Sequence, residues 1–377
     1  MQGSRFFPEI NGDFGFGCMR LPMKDGEVDH ELFSRMADAF IGSGFNYFDT
    51  AHGYIGGKSE TAIRECVSKR YPREKFLLTD KLTDPYFKKQ EDIVPFFMQQ
   101  LEWCGVDYFD FYLMHAQDKN NYRKFQRCKA YATALELKKK GLIRHFGISF
   151  HDKAEVLDMI LTENPEVEIV QIQFNYVDYE DASVESRKVY EVCEKHGKPV
   201  IVMEPVKGGS LVNLPPEADA VLRGLHGGSN ASYAIRFAAS FPNMAMVLSG
   251  MSTIDQMEDN ISAMKDFKPL DEAERAAVDK VCGIFRSLNL VPCTSCRYCI
   301  EESECPKAIR IPDMFSALNA HEAFHDWNSG FYYSSVITGG GHGKASECVK
   351  CGKCEKVCPQ HLPIRELLEK VAETFES

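Results

Sequence analysis

Short apolar runs alternate with longer amphipathic segments along the first 290 residues of this 377-residue chain. The apolar runs cover residues 14–21, 45–49, 76–79, 109–114, 145–149, 168–172, 199–203 and 244–248. The amphipathic segments cover residues 29–40, 59–69, 91–103, 122–140, 152–161, 184–195, 230–239 and 254–263. Near-continuous apolar runs are typical of parallel strands that are buried on both faces. Eight strands alternating with eight helices predict an α/β fold, the (β/α)8 or TIM barrel. An open doubly wound sheet is the alternative, although it usually begins with a glycine-rich turn that this sequence lacks.

The cysteine content of the chain changes sharply near residue 290. Eight of the fourteen cysteines fall between Cys293 and Cys358, and the other six are scattered over the preceding residues. This change predicts two domains, a barrel at residues 1–288 and a small, mainly helical domain at residues 289–377. The helices expected around the boundary and beyond it are at residues 271–288, 312–324 and 363–375, with a loop at 333–346.

The clustered cysteines form two motifs of the same kind. Each motif has three cysteines separated by two residues, followed by a Cys-Pro pair. Such a triplet can hold three corners of a 4Fe–4S cluster, and in two-cluster ferredoxins the fourth cysteine ligates the other cluster. The ligand sets predicted in this way are Cys293, Cys296, Cys299 and Cys358 for the first cluster, and Cys348, Cys351, Cys354 and Cys305 for the second. The segment resembles a bacterial two-cluster ferredoxin with a long insertion between its motifs. Zinc is the alternative metal, although zinc sites favour pairs of cysteines over triplets.

Four polar side chains stand at the ends of three consecutive predicted strands. Asp49 ends one strand and Tyr54 follows in the next loop, while Lys81 and His115 end the two strands after it. Active sites of these barrels lie at the carboxyl ends of the strands, so we expect the four groups to meet there. We expect Lys81, held by Asp49, to lower the pKa of the Tyr54 phenol, and His115 to orient or polarise a carbonyl oxygen. Such a set suits protonation of a carbonyl that receives a hydride.

The segments that carry these four residues resemble the aldo-keto reductase family. The resemblance rests on residues 48–54, 59–60, 81, 113–115 and 141–149, and it extends over roughly residues 10–288. With its C-terminal motifs, the chain resembles the aldo-keto reductases that carry a ferredoxin-like domain. The resemblance implies that Asp49, Tyr54, Lys81 and His115 are the catalytic residues and that Tyr54 is the proton donor.

The same resemblance implies a nicotinamide nucleotide as cofactor. The positions that would bind it are Ser149, Gln171, Met203, Pro205, Lys207, Gly208, Gly250, Ser252, Thr253, Gln256 and Asn260. Three of them depart from the family pattern. Met203 replaces the aromatic residue that stacks on the nicotinamide, and Gly250 and Gln256 replace the basic pair that binds a 2′-phosphate. We therefore expect NADH to bind at least as well as NADPH.

Charge and hydropathy argue against two classes of function. The net charge of −11 disfavours a non-specific nucleic-acid binder, which requires a basic surface. No apolar run reaches the roughly 18 residues that cross a membrane. The first ten residues also lack the pattern of a secretory signal. We therefore expect a cytoplasmic protein that binds neither nucleic acid nor membrane.

These features together predict an oxidoreductase that uses NAD(P)H to reduce a carbonyl, or a related unsaturated group, of a small molecule. A nicotinamide transfers two electrons as a hydride, whereas each iron–sulfur cluster transfers one, so we expect the clusters to act in electron transfer. A flavin commonly mediates between two-electron and one-electron carriers. A flavin is therefore a further candidate cofactor, although the sequence has no flavin signature. The corresponding partner would be an external ferredoxin or flavoprotein. Two other functions stay open, namely a ferredoxin-fed reductase without nicotinamide and a non-enzymatic redox-sensing or regulatory subunit.

Overall fold

Eight parallel strands form a closed barrel in the computed structural model, which describes residues 4–181, 184–225, 227–288, 290–324, 328–339 and 341–376. The strands are β1 (Phe14–Gly17), β2 (Tyr47–Asp49), β3 (Leu77–Leu82), β4 (Phe109–Gln117), β5 (Ile143–Phe150), β6 (Ile169–Gln173), β7 (Val200–Met203) and β8 (Met244–Gly250). Each strand pairs with its neighbours in sequence, and β1 closes the barrel by pairing with β8, where Phe14 lies opposite Val247. The predicted barrel is confirmed, and the open-sheet alternative is excluded.

Helices follow the strands around the barrel. They are α1 (His30–Gly42), α2 (Lys58–Ile63), α3 (Gln90–Cys104), α4 (Tyr122–Arg127), α5 (Ala130–Lys139), α6 (Ala154–Glu163), α7 (Ser186–Lys195), α8 (Pro216–Arg223), α9 (Asn230–Ala239), α10 (Ile254–Lys265) and α11 (Glu272–Leu288). The single helix predicted at residues 122–140 is wrong, because the φ of 50° at Lys129 separates α4 from α5. The short helix α8 was not predicted. Within the described ranges no helix is both long enough and apolar enough to span a membrane.

The barrel interior is filled by large apolar side chains and sealed by the N-terminal segment. Phe7 and Ile10 are buried and pack with Phe111 and Leu113 of β4 in the same core cluster. The Phe7 ring meets the edge of the Phe111 ring with centroids 5.2 Å apart. Because Phe111 lies near the start of β4, this plug closes the amino-terminal end of the barrel. The carboxyl end is left for the functional groups.

The chain is organised as two compact units. The first unit contains Met1–Pro205 and Ala231–Leu270, and the second contains Val206–Asn230 and Asp271–Ser377. The loop after β7 and helix α8 therefore belong with the C-terminal segment, because α8 packs against α11. The predicted domain boundary between residues 288 and 289 stays a prediction.

The cysteine-rich part of the second unit is mainly helical, as predicted. Its helices are α12 (Tyr298–Glu301), α13 (Ile311–Phe324), α14 (Asn328–Tyr332), α15 (Lys353–Lys356) and α16 (Ile364–Phe375). Met314 and Phe315 of α13 share a core with Leu368 of α16. The loop predicted at residues 333–346 is wrong in part, because Tyr333–Ile337 forms a wide helical turn. That turn is fixed by the buried Tyr333 ring, whose hydroxyl accepts a hydrogen bond from the Ala345 amide at 2.9 Å.

Candidate functional site

The structure brings the four predicted catalytic side chains together in the first unit. Asp49 is the last residue of β2, Lys81 lies near the end of β3, and His115 lies near the end of β4. Tyr54 begins a short helical turn between β2 and α2. All four side chains are buried. Adjacent parallel strands carry three of them to the same end of the barrel, which is why residues distant in sequence meet here.

The Lys81 ammonium is the centre of this site. Its Nζ atom donates hydrogen bonds to Asp49 Oδ1 at 2.6 Å, to the carbonyl oxygen of Thr50 at 2.7 Å and to the Tyr54 hydroxyl oxygen at 3.3 Å. All three N–H donors of the ammonium are thus engaged, as burial of the group requires. Because the phenol oxygen accepts from Lys81, the O–H proton of Tyr54 is left to bond to another acceptor.

The pKa of Tyr54 is raised well above its usual value, contrary to the expectation that Lys81 would lower it. Burial of the phenol has the largest effect, followed by the nearby carboxylates of Asp49 and Asp80 and, less strongly, Glu204. These influences oppose formation of the phenolate more strongly than the ammonium favours it. Tyr54 therefore keeps its proton at neutral pH and is suited to donate it.

His115 is a neutral imidazole beside the tyrosine. Burial lowers its pKa well below the usual value, and Lys81 and His151 lower it further. Its Nδ1 atom is hydrogen-bonded to Thr83 Oγ1 at 2.7 Å. The rings of His115 and Tyr54 meet edge to face with centroids 6.0 Å apart. The imidazole is therefore held in a fixed orientation at the side of the phenol.

A buried carboxyl pair lies behind Lys81, and the sequence reasoning missed it. Asp80 precedes Lys81 on β3, and its Oδ1 atom accepts from the Lys81 backbone amide at 2.8 Å. Glu60 of α2 is hydrogen-bonded to Asp80 and accepts from Gln100 Nε2 at 3.2 Å. Burial, with the mutual repulsion of the two charges, raises the pKa of Asp80, and burial raises that of Glu60 to about 7. Two hydrogen-bonded carboxyls without solvent share a proton. Alternation along β3 was the available signal, since it places Asp80 on the face opposite Lys81.

Two of the predicted nicotinamide ligands lie next to the catalytic residues. The Gln171 Nε2 atom donates to Asp49 Oδ2 at 3.2 Å, and Ser149 Oγ accepts from the Ala116 amide at 2.7 Å. Both side chains are buried, Gln171 in the middle of β6 and Ser149 near the end of β5. Met203 ends β7 and is partly exposed, and Pro205 follows two residues later in the same unit.

The predicted pyrophosphate residues Lys207 and Gly208 belong to the second unit. They lie in a short turn, Lys207–Gly209, in which both residues have a positive φ. A Cβ atom at Gly208 would lie 2.3 Å from the carbonyl oxygen of Thr294. The backbone at Gly208 therefore lies too close to the first cysteine motif for any side chain to fit. This explains the glycine independently of any contact with a nucleotide.

Three of the five predicted adenosine-site residues, Ser252, Thr253 and Gln256, form a local hydrogen-bonded group after β8. Thr253 caps α10 by accepting from the Gln256 amide at 3.2 Å, and the Ser252 amide donates to Gln256 Oε1 at 2.8 Å. Asn260 Nδ2 donates to Ser249 Oγ at 2.9 Å. A cation that the sequence reasoning missed lies beside this group, because the aliphatic part of Arg20 would contact a Cβ atom at Gly250 at 3.4 Å. The short helical turn after β1, Cys18–Arg20, thus brings an arginine to a region where Gly250 and Gln256 supply no cation.

The second predicted set of cysteines lines one cavity. Cys305, Cys348, Cys351 and Cys354 all border the same small cavity. Cys305 comes from the first motif and reaches the triplet of the second, as the crossed ligand pattern requires. Three cysteines of one triplet joined by a fourth from the other motif fit a 4Fe–4S cluster, whereas zinc sites favour pairs of cysteines.

The first predicted set is also assembled. The thiol of Cys299 is buried, and its pKa is raised by burial and by the neighbouring Cys296, Cys293 and Cys358. The sulfur of Cys293 accepts a hydrogen bond from the Ser295 amide at 3.4 Å. Cys358, from the second motif, therefore lies close to Cys299, and Cys354 of the second triplet is also near it.

The two motifs have the same backbone course, which extends the repeat beyond the cysteines. Ser295 and Lys350 occupy equivalent positions and both have a φ of 54°. The equivalent Arg297 and Gly352 have φ values of 69° and 71° and precede the short helices α12 and α15. Turns with a positive φ at alternate residues direct the three thiols of each triplet inward, and this explains the strained non-glycine residues.

Comparison with known proteins identifies both parts of the chain. The sequence model described as "Aldo/keto reductase family" matches residues 13–282. The chain belongs to the aldo/keto reductase family. The model of a 4Fe-4S dicluster domain matches residues 292–362 of this reductase. The chain is therefore an oxidoreductase of the aldo-keto reductase type with an iron–sulfur domain.

Individual relatives of the reductase are distant. An uncharacterized oxidoreductase of Schizosaccharomyces pombe is 27% identical over 271 residues, which are 66% of this chain and 80% of the relative. The NADH-specific methylglyoxal reductase of Escherichia coli is 25% identical over 207 residues, 50% of this chain and 61% of the relative. An aldo-keto reductase of Klebsiella pneumoniae solved with NADPH is 18% identical, with a TM-score of 0.61 over 74% of this chain and 95% of that one. At this identity the solved structure shows the shared fold.

The buried carboxyl pair predicts a pH-dependent stability. The pKa of Glu60 is about 7 in the folded chain against an ordinary value of 4.5. The folded state thus holds a proton that the unfolded state loses in this range, and the free energy of unfolding falls as pH rises from about 4.5 to about 7. Each pKa unit corresponds to about 1.4 kcal/mol. We expect Glu60→Gln to reduce this fall, measured as Tm at pH 5 and at pH 7.5.

Glu65→Gln is the matched control for this prediction. Glu65 follows on the same segment, but it is exposed and its pKa is lowered by Lys69. This variant should keep the pH dependence of the unchanged protein. Equal loss of Tm with pH in Glu60→Gln and in the unchanged protein would show that Glu60 does not hold a proton in the folded chain below pH 7.

Proposed function

We propose that this reductase transfers a hydride from a nicotinamide nucleotide to a carbonyl, or a related unsaturated group, of a small molecule, with Tyr54 as proton donor. The observation that carries the proposal is the buried chain of hydrogen bonds from Asp49 through Lys81 to Tyr54. The protonated phenol of Tyr54 lies at the carboxyl ends of the strands, where this fold has its active sites.

The side chains beside Tyr54 fit a nicotinamide. Gln171 donates through its Nε2 atom to Asp49, so the carbonyl oxygen of the same amide is oriented to accept from a carboxamide. Ser149 accepts from a backbone amide, and its hydroxyl proton can be donated to the carboxamide oxygen. When bound, the nicotinamide would supply the hydride. Asp49 would act indirectly, by holding Lys81 and Gln171 in place.

Protonation of the substrate would use Tyr54, Lys81 and His115. A carbonyl that gains a hydride at carbon also needs one proton at oxygen, and Tyr54 supplies it to give the alcohol. Lys81 stabilises the resulting phenolate through the hydrogen bond it already makes at 3.3 Å. The neutral His115 would orient the carbonyl oxygen without supplying a charge.

Replacement of Tyr54 tests this role. Tyr54→Phe removes one proton donor and little volume, so we expect kcat to fall by about 10² or more while nucleotide affinity is unchanged. Tyr47→Phe is the matched control, because Tyr47 is another buried barrel tyrosine whose hydroxyl contacts Thr79 and not Lys81. Lys81→Met should also lose activity. Near-normal activity of Tyr54→Phe would assign the proton to another group, such as His115.

We further propose that two 4Fe–4S clusters are bound, one by Cys293, Cys296, Cys299 and Cys358 and the other by Cys348, Cys351, Cys354 and Cys305. The cavity lined by Cys305 together with the second triplet, and the proximity of Cys358 to Cys299, support this assignment. When bound, such clusters accept and release single electrons. The need for reduced thiols also favours a cytoplasmic location.

Metal analysis of anaerobically purified protein tests the cluster assignment. We expect about eight iron and eight acid-labile sulfide per chain. Cys305→Ser should remove iron from the second site more than from the first, as followed by EPR spectroscopy. Cys282→Ser, which changes a buried cysteine of α11 outside the motifs, should retain all the iron. Stoichiometric zinc without iron would contradict the assignment.

We propose that NADH binds at least as well as NADPH. Gly250 and Gln256 provide no cation for a 2′-phosphate, and a charge-assisted hydrogen bond contributes roughly 1.5–3 kcal/mol. Arg20 is the cation beside this loop. Arg20→Ala should therefore weaken the binding of both nucleotides, and the change in the ratio of their affinities shows whether Arg20 favours NADPH. Fluorescence titration with both nucleotides measures this. A strong preference for NADPH that Arg20→Ala abolishes would contradict the proposal.

The second candidate function is a ferredoxin-fed reductase that does not use nicotinamide. The observation that favours it is the exposure of Cys351, which opens the second cysteine set to an external donor. The same titration distinguishes the two functions, because absence of binding by either nucleotide would support this candidate.

A further inference from the structure

The cavity of the second cysteine set opens to solvent. Of the eight motif cysteines, all in described parts of the chain, Cys351 alone is exposed. Val349 also lines the cavity and is 54% exposed. In the first set Cys299 is buried and the other three are only partly exposed. An external molecule can therefore approach the second site directly.

The rim of this cavity is cationic, although the chain as a whole has a net charge of −11. Among the described residues that line it are Lys307, Lys353 and Arg365, and none is a carboxylate. Arg365 is paired with Glu355 at 2.8 Å. Lys307 and Lys353 are exposed and form no ion pair in the parts of the chain that the structure describes.

We propose that Lys307, Val349, Cys351 and Lys353, here called the cationic face, form the docking surface for an acidic one-electron carrier protein of the ferredoxin or flavodoxin type. The proposal rests on the proposed iron–sulfur site behind this face. One electron passes in each encounter, so that the carrier is oxidised by one electron and the chain is reduced by one. No bond is formed or broken, and no proton is required.

The composition of the face favours such a carrier. An exposed apolar residue flanked by unpaired charges is typical of small, short-lived interfaces, in which charge complementarity sets the rate and register of docking. The net charge of the chain disfavours an acidic carrier, so a local group of unpaired cations is needed to attract one. The alternative is that the lysines only offset the negative charge of the cysteine thiolates. That role would change the midpoint potential of the site and leave carrier binding unaffected.

Charge reversal of the two lysines tests the proposal on the anaerobic, iron-loaded full chain. The probe is an acidic bacterial flavodoxin, and its affinity is measured by biolayer interferometry at about 20 mM and about 200 mM NaCl. We expect Lys307→Glu/Lys353→Glu to weaken binding by roughly tenfold or more at low salt, and the higher salt to weaken binding to the unchanged protein similarly. The matched control is Lys268→Glu/Lys280→Glu, which makes the same change of charge at two exposed lysines outside the face. It should bind within about twofold of the unchanged protein.

Iron content and midpoint potential are measured on the same samples. Retained iron with lost flavodoxin binding supports the docking surface. If the charge-reversed variant loses iron, Lys307→Gln/Lys353→Gln replaces it in the binding measurement. Unchanged affinity with a shifted potential would overturn the proposal in favour of local charge compensation. An equal weakening of basic cytochrome c binding by Lys307→Glu/Lys353→Glu would also overturn it, because added carboxylates should not weaken the binding of a basic protein. An unchanged protein without iron would instead refute the proposed cluster, whatever the binding result.

Discussion

A buried ammonium group determines the organisation of the candidate active site. Lys81 is fully buried, and a buried charge is tolerated only when every donor finds an acceptor. Asp49, the Thr50 carbonyl and Tyr54 are those acceptors, and each is delivered by β2 or the turn after it. The pairing of β2 with β3 therefore fixes the lysine, and the lysine fixes the phenol.

The opposite face of β3 contacts a second group of buried charges. Asp80 and Glu60 are buried against each other, and their hydrogen bond is possible only if one of them is protonated. A single shared proton halves the negative charge that lies behind Lys81. The pair thus limits the number of charges that the barrel wall must hold, and it contributes to the raised pKa of Tyr54 through Asp80.

The organisation of the cysteine-rich segment depends instead on the local backbone conformation of each cysteine motif. Within each triplet, alternate residues in the left-handed region turn the three thiols inward, and the following Cys-Pro carries its thiol to the other set. Helices α13 and α16 follow the two Cys-Pro pairs and pack against each other. The two halves therefore place two ligand sets side by side. They differ in exposure and charge, and that difference gives the second set its access to solvent.

The sequence by itself determined the barrel, the position of the cysteine-rich segment and the residues of both candidate centres. Periodicity and spacing are local properties, and strand ends of a barrel necessarily meet. Only the tertiary structure decided the protonation of Tyr54, because the pKa depends on burial and on Asp80 and Glu204, whose distance from the phenol no spacing reveals. It also decided the division of residues 122–140 into two helices, the placement of Arg20 beside Gly250, and the second reason for glycine at position 208. Each of these depends on contacts between segments distant in the chain or on a single backbone angle, and neither is encoded in a local pattern.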